Sequence, residues 1–150
     1  MAIQIGDKLP HFTAVMQDGT AFDSNSVRNK PVVIYFYPKD FTPGCTTQAC
    51  SFRDAYQDFQ DLGAEVIGVS GDSIHSHQNF QQKHKLPFIL LSDSDKKLRK
   101  LFGVPAALFG LIPGRVTYVF NAAGKAIYIF DNISAKNHIE KALEAIKMEK

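Results

Sequence analysis

Residues 31–54 read PVVIYFYPKDFTPGCTTQACSFRD, and they indicate the centre of the fold. The seven residues 31–37 are almost all apolar and β-branched or aromatic, which is typical of a strand buried on both faces of a parallel or mixed sheet. A loop with two prolines follows, and a helix is predicted over residues 45–61 because its apolar side chains recur at helical spacing. These side chains are Ala49, Phe52, Tyr56 and Phe59. The stretch therefore predicts a buried central strand that leads through a short loop into a helix.

Strands and helices alternate through the rest of the chain. Strands are predicted over residues 64–70, 88–91, 115–120 and 126–130, and helices over residues 73–85, 94–102 and 135–148. Near the N-terminus, residues 11–15 and 20–22 read as short strands joined by a turn at Asp18 and Gly19. This order predicts an α/β protein with three layers and a central mixed sheet, preceded by an N-terminal β extension. The closing hairpin and last helix resemble the thioredoxin-like arrangement.

The composition is that of one compact domain. The chain has 150 residues, of which 45% are hydrophobic and 21% charged, and this content excludes a wholly disordered chain. The 17 basic and 15 acidic residues give a net charge of +2 without a Lys/Arg stripe, so nucleic-acid binding is not favoured. No stretch approaches the ~20 apolar residues that span a bilayer, and the N-terminus lacks a signal-peptide pattern. We expect a single domain over residues 1–150 that works in the cytoplasm, away from membranes.

The chain has two cysteines, Cys45 and Cys50. Cys45 follows the buried strand and opens the predicted helix, where free backbone N–H groups and a partial positive charge favour a thiolate over a thiol. Ligands of α/β proteins bind beyond the carboxyl ends of the strands, which is where this residue is expected. Two close thiols are compatible with redox chemistry, with metal binding or with an inert pair. A zinc site is disfavoured, since no second cysteine pair or histidine cluster follows.

The spacing of the two cysteines limits how they can react with each other. On a helix that starts at residue 45, Cys50 lies ~140° around the axis from Cys45 and ~7.5 Å along it. The Cα separation is then roughly 8–9 Å, beyond the ~7 Å limit for a disulfide, so a bond between them requires residues 45–50 to unwind. Cys45 is expected to face the fold and Cys50 to face outward, a division that suits an attacking and a resolving thiol. The thioredoxin-type Cys-x-x-Cys motif is absent.

Residues 35–54 resemble the active-site segment of a peroxiredoxin, and more narrowly of the peroxiredoxin Q subfamily, also called bacterioferritin comigratory protein. The spacing of Pro38, Thr42 and Cys45 matches the general peroxiredoxin motif, and a second cysteine five residues later matches the Q type. The resemblance extends over the whole chain, from GDKLPHF at residues 6–12 to the strand that opens with Arg115. It implies a thiol-dependent peroxidase of antioxidant defence that reduces hydrogen peroxide and organic hydroperoxides without a cofactor or metal.

The resemblance also implies roles for individual residues around the nucleophile. Cys45 would be the peroxidatic cysteine, whose thiolate becomes a sulfenic acid. Thr42 would hydrogen-bond the thiolate and the peroxide, and Pro38 would shield the sulfur from water. Gly44 and Cys45 would offer backbone N–H groups to the peroxide, and Arg115 would reach across to the sulfur and polarise the substrate.

Cys50 would resolve the sulfenic acid by forming a Cys45–Cys50 disulfide, which thioredoxin or a glutaredoxin would reduce by exchange. The Q type is often monomeric, so the resemblance implies a monomer. Two other functions stay open. One is a disulfide oxidoreductase on the same fold, against which the Cys-x₄-Cys spacing argues. The other is a non-catalytic redox sensor or holdase, in which the Cys45–Cys50 bond changes a surface.

Three features depart from the pattern of the family. Phe41 stands where a small polar or acidic residue is common, which would make the mouth of the pocket more apolar. Gln48 replaces a frequent glutamate, which removes a charge near Arg115 and keeps a hydrogen-bonding group. Residues 104–113, VPAALFGLIP, are longer and more apolar than in many members. This segment is expected to be a packed loop, a lining of the site that favours bulky hydroperoxides, or a dimer contact.

Overall fold

The structure is a computed structural model that describes residues 3–27, 29–104, 106–107, 112–113, 115–131 and 138–148. Within these residues the strands are β1 (Thr13–Met16), β2 (Ala21–Asp23), β3 (Val32–Phe36), β4 (Glu65–Ser70), β5 (Ile89–Ser92), β6 (Ala106–Ala107), β7 (Ile112–Pro113), β8 (Val116–Phe120) and β9 (Ala126–Asp131). The α-helices are α1 (Pro43–Asp54), α2 (Tyr56–Asp61), α3 (Ile74–His84), α4 (Lys97–Phe102) and α5 (His138–Met148). The alternation predicted from the sequence is confirmed.

The main sheet has seven strands in the order β2-β1-β5-β4-β3-β8-β9. Strand β3 lies inside it, parallel to β4 and antiparallel to β8, and all five of its residues are buried. This burial on both faces is what its continuous apolar sequence predicts. The predicted N-terminal extension is also present, since β1 pairs antiparallel with β2 on one side and β5 on the other. The expectation of a mixed sheet in an α/β fold is therefore correct.

Alternate residues of β3 point into two separate cores, one on each face of the sheet. Val33 and Tyr35 belong to the core formed with helices α1, α2, α3 and α5, and Ile34 belongs to the core formed with α4 and the N-terminal strands. The first core holds Phe52, Phe59, Phe80, Ala142 and Ile146 from the helices. Helix α1, which carries both cysteines, is thus fixed on the sheet by its apolar face.

Several helix boundaries differ from the prediction, although α3 (Ile74–His84) differs from the predicted 73–85 by only one residue at each end. The helix expected over residues 45–61 is two helices, because the chain leaves helical geometry at Ala55 (φ −93°, ψ 1°), and the first of them already begins at Pro43. Proline is tolerated at the first helical position, where its missing N–H would have no partner. The helix expected from residue 94 begins at Lys97. For the last helix, residues 135–137 of the prediction lie outside the described residues.

The apolar segment 104–113 is in part a small hairpin. Strands β6 and β7 pair antiparallel, with Ala106 opposite Pro113 and Ala107 opposite Ile112, and form a separate two-stranded sheet. The expected packed loop thus contains a short strand pair at these four residues. Residues 105, 108–111 and 114 lie outside the described residues, so a lining or dimer role of this segment stays a prediction.

Across the described part of the chain, we find no helix with the length and apolar character needed to cross a bilayer.

Gly68 makes room for the central tyrosine of β3. Tyr35 lies opposite Gly68 in the pairing of β3 with β4, and a Cβ at residue 68 would lie 2.8 Å from the Tyr35 hydroxyl and 2.9 Å from Leu90 Cδ2. Tyr35 in turn stacks on Phe52 of α1, with ring centroids 4.5 Å apart. A side chain at residue 68 would therefore disturb the support of α1.

We predict that Gly68→Ala lowers the free energy of unfolding by about 1–3 kcal/mol, because the added methyl group overpacks the core. Urea unfolding followed by far-ultraviolet circular dichroism measures the change. Gly71→Ala is the control, since a Cβ there would meet Asp93 O at an ordinary 3.7 Å. Equal stability of Gly68→Ala and the unchanged protein would contradict the prediction.

Candidate active site

Cys45 lies in the first turn of α1. Thr42 is the N-cap residue in extended geometry (φ −76°, ψ 151°), Pro43 is the first helical residue, and the first intrahelical hydrogen bond runs from Thr46 N–H to Thr42 O. The N–H groups of Gly44 and Cys45 therefore precede the hydrogen-bond ladder of the helix. The sequence prediction placed the helix start two residues too late, but it placed Cys45 correctly in the electropositive first turn.

A guanidinium reaches the Cys45 thiol from the neighbouring strand. Arg115 Nη2 donates to Cys45 Sγ at 3.3 Å, with Cys45 1% exposed and Arg115 5% exposed. Arg115 directly precedes β8, and Val116 of β8 lies opposite Phe36 at the end of β3. The antiparallel register thus brings Arg115 next to the loop that leaves β3. The predicted approach of Arg115 to Cys45 is present in the structure.

Gln48 holds the other side of the same guanidinium. Arg115 Nη1 donates to Gln48 Oε1, and Gln48 is fully buried one helical turn after Cys45. Gln48 Nε2 is buried and has no hydrogen-bond partner among the described residues. A neutral amide in this position orients Arg115 without neutralising it, so the charge of Arg115 remains available to the sulfur.

Two further side chains near Cys45 were missed by the sequence analysis. Arg99 of α4 is 8% exposed and donates from Nη2 to the carbonyl oxygen of Tyr37 at 2.9 Å. Burial lowers the pKa of Arg99, while the charges of Asp93 and, more weakly, Cys45 oppose that shift. Burial raises the pKa of the Tyr35 phenol, and the neighbouring Cys45 adds to the rise. Arg99 and Tyr35 are thus two buried groups whose electrostatics are coupled to Cys45.

Thr42 and Pro38 lie in the loop where the sequence placed them, but the contacts of Thr42 are not those expected. The Thr42 hydroxyl donates to the carbonyl oxygen of Lys39 at 2.8 Å, so its hydrogen is directed into the loop and not towards Cys45. Its oxygen keeps the capacity to accept a hydrogen bond from a bound hydroperoxide. Pro38 is half-buried directly after Tyr37. The roles of both residues remain predictions.

Cys50 is half-buried on the same helix, and both cysteines are free thiols. Because α1 is continuous from Pro43 to Asp54, the ideal-helix separation estimated from the sequence applies, and the two sulfurs cannot bond in this conformation. Cys45 faces the core while Cys50 is partly accessible, as expected. The Cys45–Cys50 disulfide stays a prediction.

One exposed aromatic ring lies beside the site. Phe41 is 46% exposed, has a left-handed backbone (φ 65°) and packs edge-on against Phe80 of α3 with ring centroids 5.1 Å apart. This position adds apolar surface to the loop that carries Thr42, as the sequence analysis expected.

Among the described residues, one group of side chains has the spacing of metal ligands. Asp40, Asp72 and His77 offer ligand atoms that lie within 4.8 Å of one another. These atoms are already engaged with protein groups: His77 Nδ1 lies 2.6 Å from Asp40 Oδ2, and Asp72 Oδ2 accepts from the Asp40 N–H at 2.6 Å. The cluster is therefore an internal hydrogen-bond network, which the sequence analysis did not foresee.

The sheet order and the thiol in the first turn of α1 define a thioredoxin-like protein whose candidate site is built on a cysteine. The model of the AhpC/TSA family matches residues 5–129. Chloroplastic peroxiredoxin Q of Oryza sativa subsp. japonica is 51% identical over 143 residues, which cover 95% of this chain and 66% of the rice protein. The chain thus spans just under two thirds of the length of that relative.

Two solved structures are also similar. A mutant of Xylella fastidiosa PrxQ matches with a TM-score of 0.91 and 30% identity, covering 99% of this chain and 98% of that one. Xanthomonas campestris bacterioferritin comigratory protein, whose structures concern its alkyl peroxide reduction activity, matches with a TM-score of 0.86 and 30% identity over 95% of this chain and 99% of that one. The chain therefore belongs to the AhpC/TSA family and, within it, to the peroxiredoxin Q proteins.

Because Gly44 has no side chain, the Arg115 guanidinium has room beside Cys45. A Cβ at residue 44 would lie 3.1 Å from Arg115 Nη2, the nitrogen that donates to the sulfur. We predict that Gly44→Ala slows the reaction of Cys45 with hydrogen peroxide about tenfold or more, because losing a hydrogen bond to a charged group costs at least that factor. The helix itself should not be weakened, since alanine favours helical backbone over glycine.

Competition between Gly44→Ala and a peroxidase of known rate measures the second-order rate constant, and thermal unfolding checks the fold. Gly71→Ala adds the same methyl group away from Arg115 and should leave the rate unchanged. An unaltered rate in a folded Gly44→Ala protein would show that the position of Arg115 does not limit the reaction.

Proposed function

We propose that this protein is a thiol-dependent peroxidase that reduces hydrogen peroxide and organic hydroperoxides, with Cys45 as the peroxidatic cysteine. The observation that carries the proposal is the hydrogen bond from Arg115 Nη2 to Cys45 Sγ in the first turn of α1. A guanidinium and a helix N-terminus both stabilise the thiolate, which is the nucleophilic form of cysteine. Membership of the peroxiredoxin Q proteins supports the same activity.

In the first step, the Cys45 thiolate attacks one oxygen of the hydroperoxide and the O–O bond breaks. The sulfur becomes a sulfenic acid, and the leaving oxygen takes a proton and departs as water or an alcohol. Negative charge develops on that leaving oxygen in the transition state. We propose that Arg115 and the N–H groups of Gly44 and Cys45 stabilise this charge, and that the Thr42 oxygen accepts the hydrogen of the hydroperoxide; the contact of Arg115 with Cys45 and the position of both N–H groups before the helical ladder support this proposal.

In the second step, the Cys50 thiol attacks the Cys45 sulfenic acid, a sulfur–sulfur bond forms and water leaves. Residues 45–50 unwind for this step, because the intact helix holds the two sulfurs too far apart. An external dithiol, which we propose to be thioredoxin or a glutaredoxin, then reduces the disulfide by exchange. The cytoplasmic location and the monomeric state expected from the sequence remain predictions.

The apolar surroundings of the loop favour organic hydroperoxides as well as hydrogen peroxide. Phe41 exposes an aromatic ring next to Thr42, and residues 104–113 add a second apolar sequence before Arg115. An alkyl chain can bury against such a surface, whereas hydrogen peroxide gains nothing from it.

We predict that Cys45→Ser and Cys50→Ser each block a different step of the reaction. Cys45→Ser should lose peroxide reduction entirely, because a hydroxyl is not ionised at neutral pH. Cys50→Ser should retain the first reaction with peroxide but lose thioredoxin-linked turnover, since no disulfide can form within the chain. Rapid mixing of reduced protein with peroxide, followed by mass mapping, identifies the sulfenic acid and the disulfide.

Peroxide-dependent oxidation of thioredoxin measures turnover in the same variants. Full activity of Cys45→Ser would refute the proposed function. Sustained turnover of Cys50→Ser would instead show that a small thiol or a second chain resolves the sulfenic acid. Reduction of insulin disulfides without peroxide would favour a disulfide oxidoreductase.

A further inference from the structure

The hydrogen bonds between the loop that precedes α1 and helix α3 are made by one buried residue, Asp40. Asp40 is 3% exposed and takes part in four hydrogen bonds. Its carboxylate accepts from the Tyr37 hydroxyl at 2.6 Å and the Ser76 hydroxyl at 2.8 Å, and lies 2.6 Å from His77 Nδ1. Its backbone N–H donates to Asp72 Oδ2 at 2.6 Å. This arrangement joins the loop to α3 and to the turn before it.

The hydrogen-bond pattern indicates which groups of this cluster donate and which accept. His77 Nε2 lies 2.9 Å from the carbonyl oxygen of Leu91, which can only accept, so Nε2 carries a hydrogen. Burial raises the pKa of Tyr37, and the charge of Asp40 adds to the rise, so the phenol stays protonated and donates to Asp40. Tyr37 and Ser76 donate to Asp40, and His77 Nδ1 lies 2.6 Å from Asp40 Oδ2, so these two atoms share one hydrogen. The four side chains therefore form one buried hydrogen-bond network.

Phe41 adds an apolar contact between this loop and α3, since its ring packs on Phe80. Among the described residues, every hydrogen bond that ties residues 38–42 to α3 or to the turn before it involves Asp40. The Thr42 hydroxyl bonds to Lys39 inside the loop and therefore attaches it to nothing else. Asp40 lies two residues before the N-cap Thr42 and five before Cys45. The hydrogen bonds that tie the residues before α1 to α3 thus depend on Asp40, while Arg115 contacts α1 from the other side.

We infer that Asp40 is a positioning residue for Cys45: its buried pair with His77 keeps the first turn of α1 folded against Arg115 and opposes the unwinding that brings Cys45 to Cys50. This inference rests on the proposed function, because it assigns opposite effects on the two proposed steps. The folded turn speeds the attack on peroxide, since Arg115 and the helix N-terminus act on the sulfur only there. The same folded turn delays the disulfide and leaves the sulfenic acid open to a second peroxide.

Asp40→Asn tests the inference with almost no change in shape. The amide has one acceptor oxygen and an NH₂ group that faces donors, so it cannot accept from Tyr37, Ser76 and His77 together. We expect amide hydrogen exchange over residues 43–50 of the reduced protein to rise about tenfold or more, because hydrogen bonds to charged groups contribute at least that factor. The rate constant of Cys45 oxidation should fall, and the rate constant of disulfide formation should rise. Less sulfinic acid should form at high peroxide concentration.

Two further variants keep the test decisive. Ser24→Ala removes a buried hydroxyl that accepts from Phe12 N–H and donates to Pro10 O in the N-terminal segment, and it should lower stability without changing either rate or the exchange of α1. Ser76→Ala removes one donor to Asp40 and should give smaller changes in the same directions as Asp40→Asn. This variant carries the test if Asp40→Asn does not fold.

The outcomes separate the inference from the proposed function. If the unchanged protein forms no sulfenic acid at Cys45, the proposed function is wrong. If the unchanged protein completes both steps, but Asp40→Asn and Ser76→Ala alter neither rate or slow both, the inference about Asp40 is wrong. Opposite changes of the two rates, with exchange confined to the start of α1, support it, because a loss of global stability would not accelerate one step while slowing the other.

Discussion

The proposed reaction with peroxide depends on the 3.3 Å contact between the Arg115 guanidinium and the Cys45 sulfur, two side chains that are almost fully buried. A buried thiolate loses its hydration, and this loss must be compensated by fixed charges and hydrogen-bond donors. Arg115 provides a donor and a charge, the first turn of α1 provides N–H groups, and Arg99 adds a second buried cation nearby. Because Gln48 is neutral, it holds Arg115 without competing for its charge. Burial therefore strengthens the interaction between the Cys45 sulfur and the Arg115 guanidinium, in addition to shielding the sulfur from solvent.

The topology of the sheet determines which residues can form this contact. Strand β3 is parallel to β4, and the chain continues from the carboxyl end of β3 into the loop and then into α1. Antiparallel pairing of β3 with β8 brings the beginning of β8 to that same end, with Val116 opposite Phe36. A residue just before β8 therefore lies beside the first turn of α1, although 70 residues separate Arg115 from Cys45. The mixed character of the sheet is thus a requirement of the site.

The parts of the site that follow from local sequence or from the family resemblance could be predicted, whereas other contacts between distant residues could not. The apolar run of β3, the cysteine near a helix start and the family motif pointed to Cys45, Gln48 and Arg115. The helix start was placed two residues late, because a proline and a glycine near a helix start are also read as loop residues. No feature of the sequence indicated the contact between Asp40 and His77, since Asp40 lies in a loop and His77 lies on a helix 37 residues later. The direction of the Thr42 hydroxyl depends on a rotamer, which sequence does not specify.

The two proposed steps place contradictory demands on one helical turn. Attack on peroxide needs residues 43–50 folded, because only the helix aligns the N–H groups and brings the sulfur to Arg115. Disulfide formation needs the same residues unwound. Phe52 anchors the C-terminal part of α1 in the core, so the segment that can open while this anchor stays in place is the first two turns, which carry Cys45 and Ala49. On the side that faces the loop, the hydrogen bonds to α3 are made by Asp40. The first two turns of α1 must both fold and open in the proposed cycle. Polar contacts of Asp40 precede the cysteines in the chain, and the apolar anchor Phe52 follows them, which suits both demands.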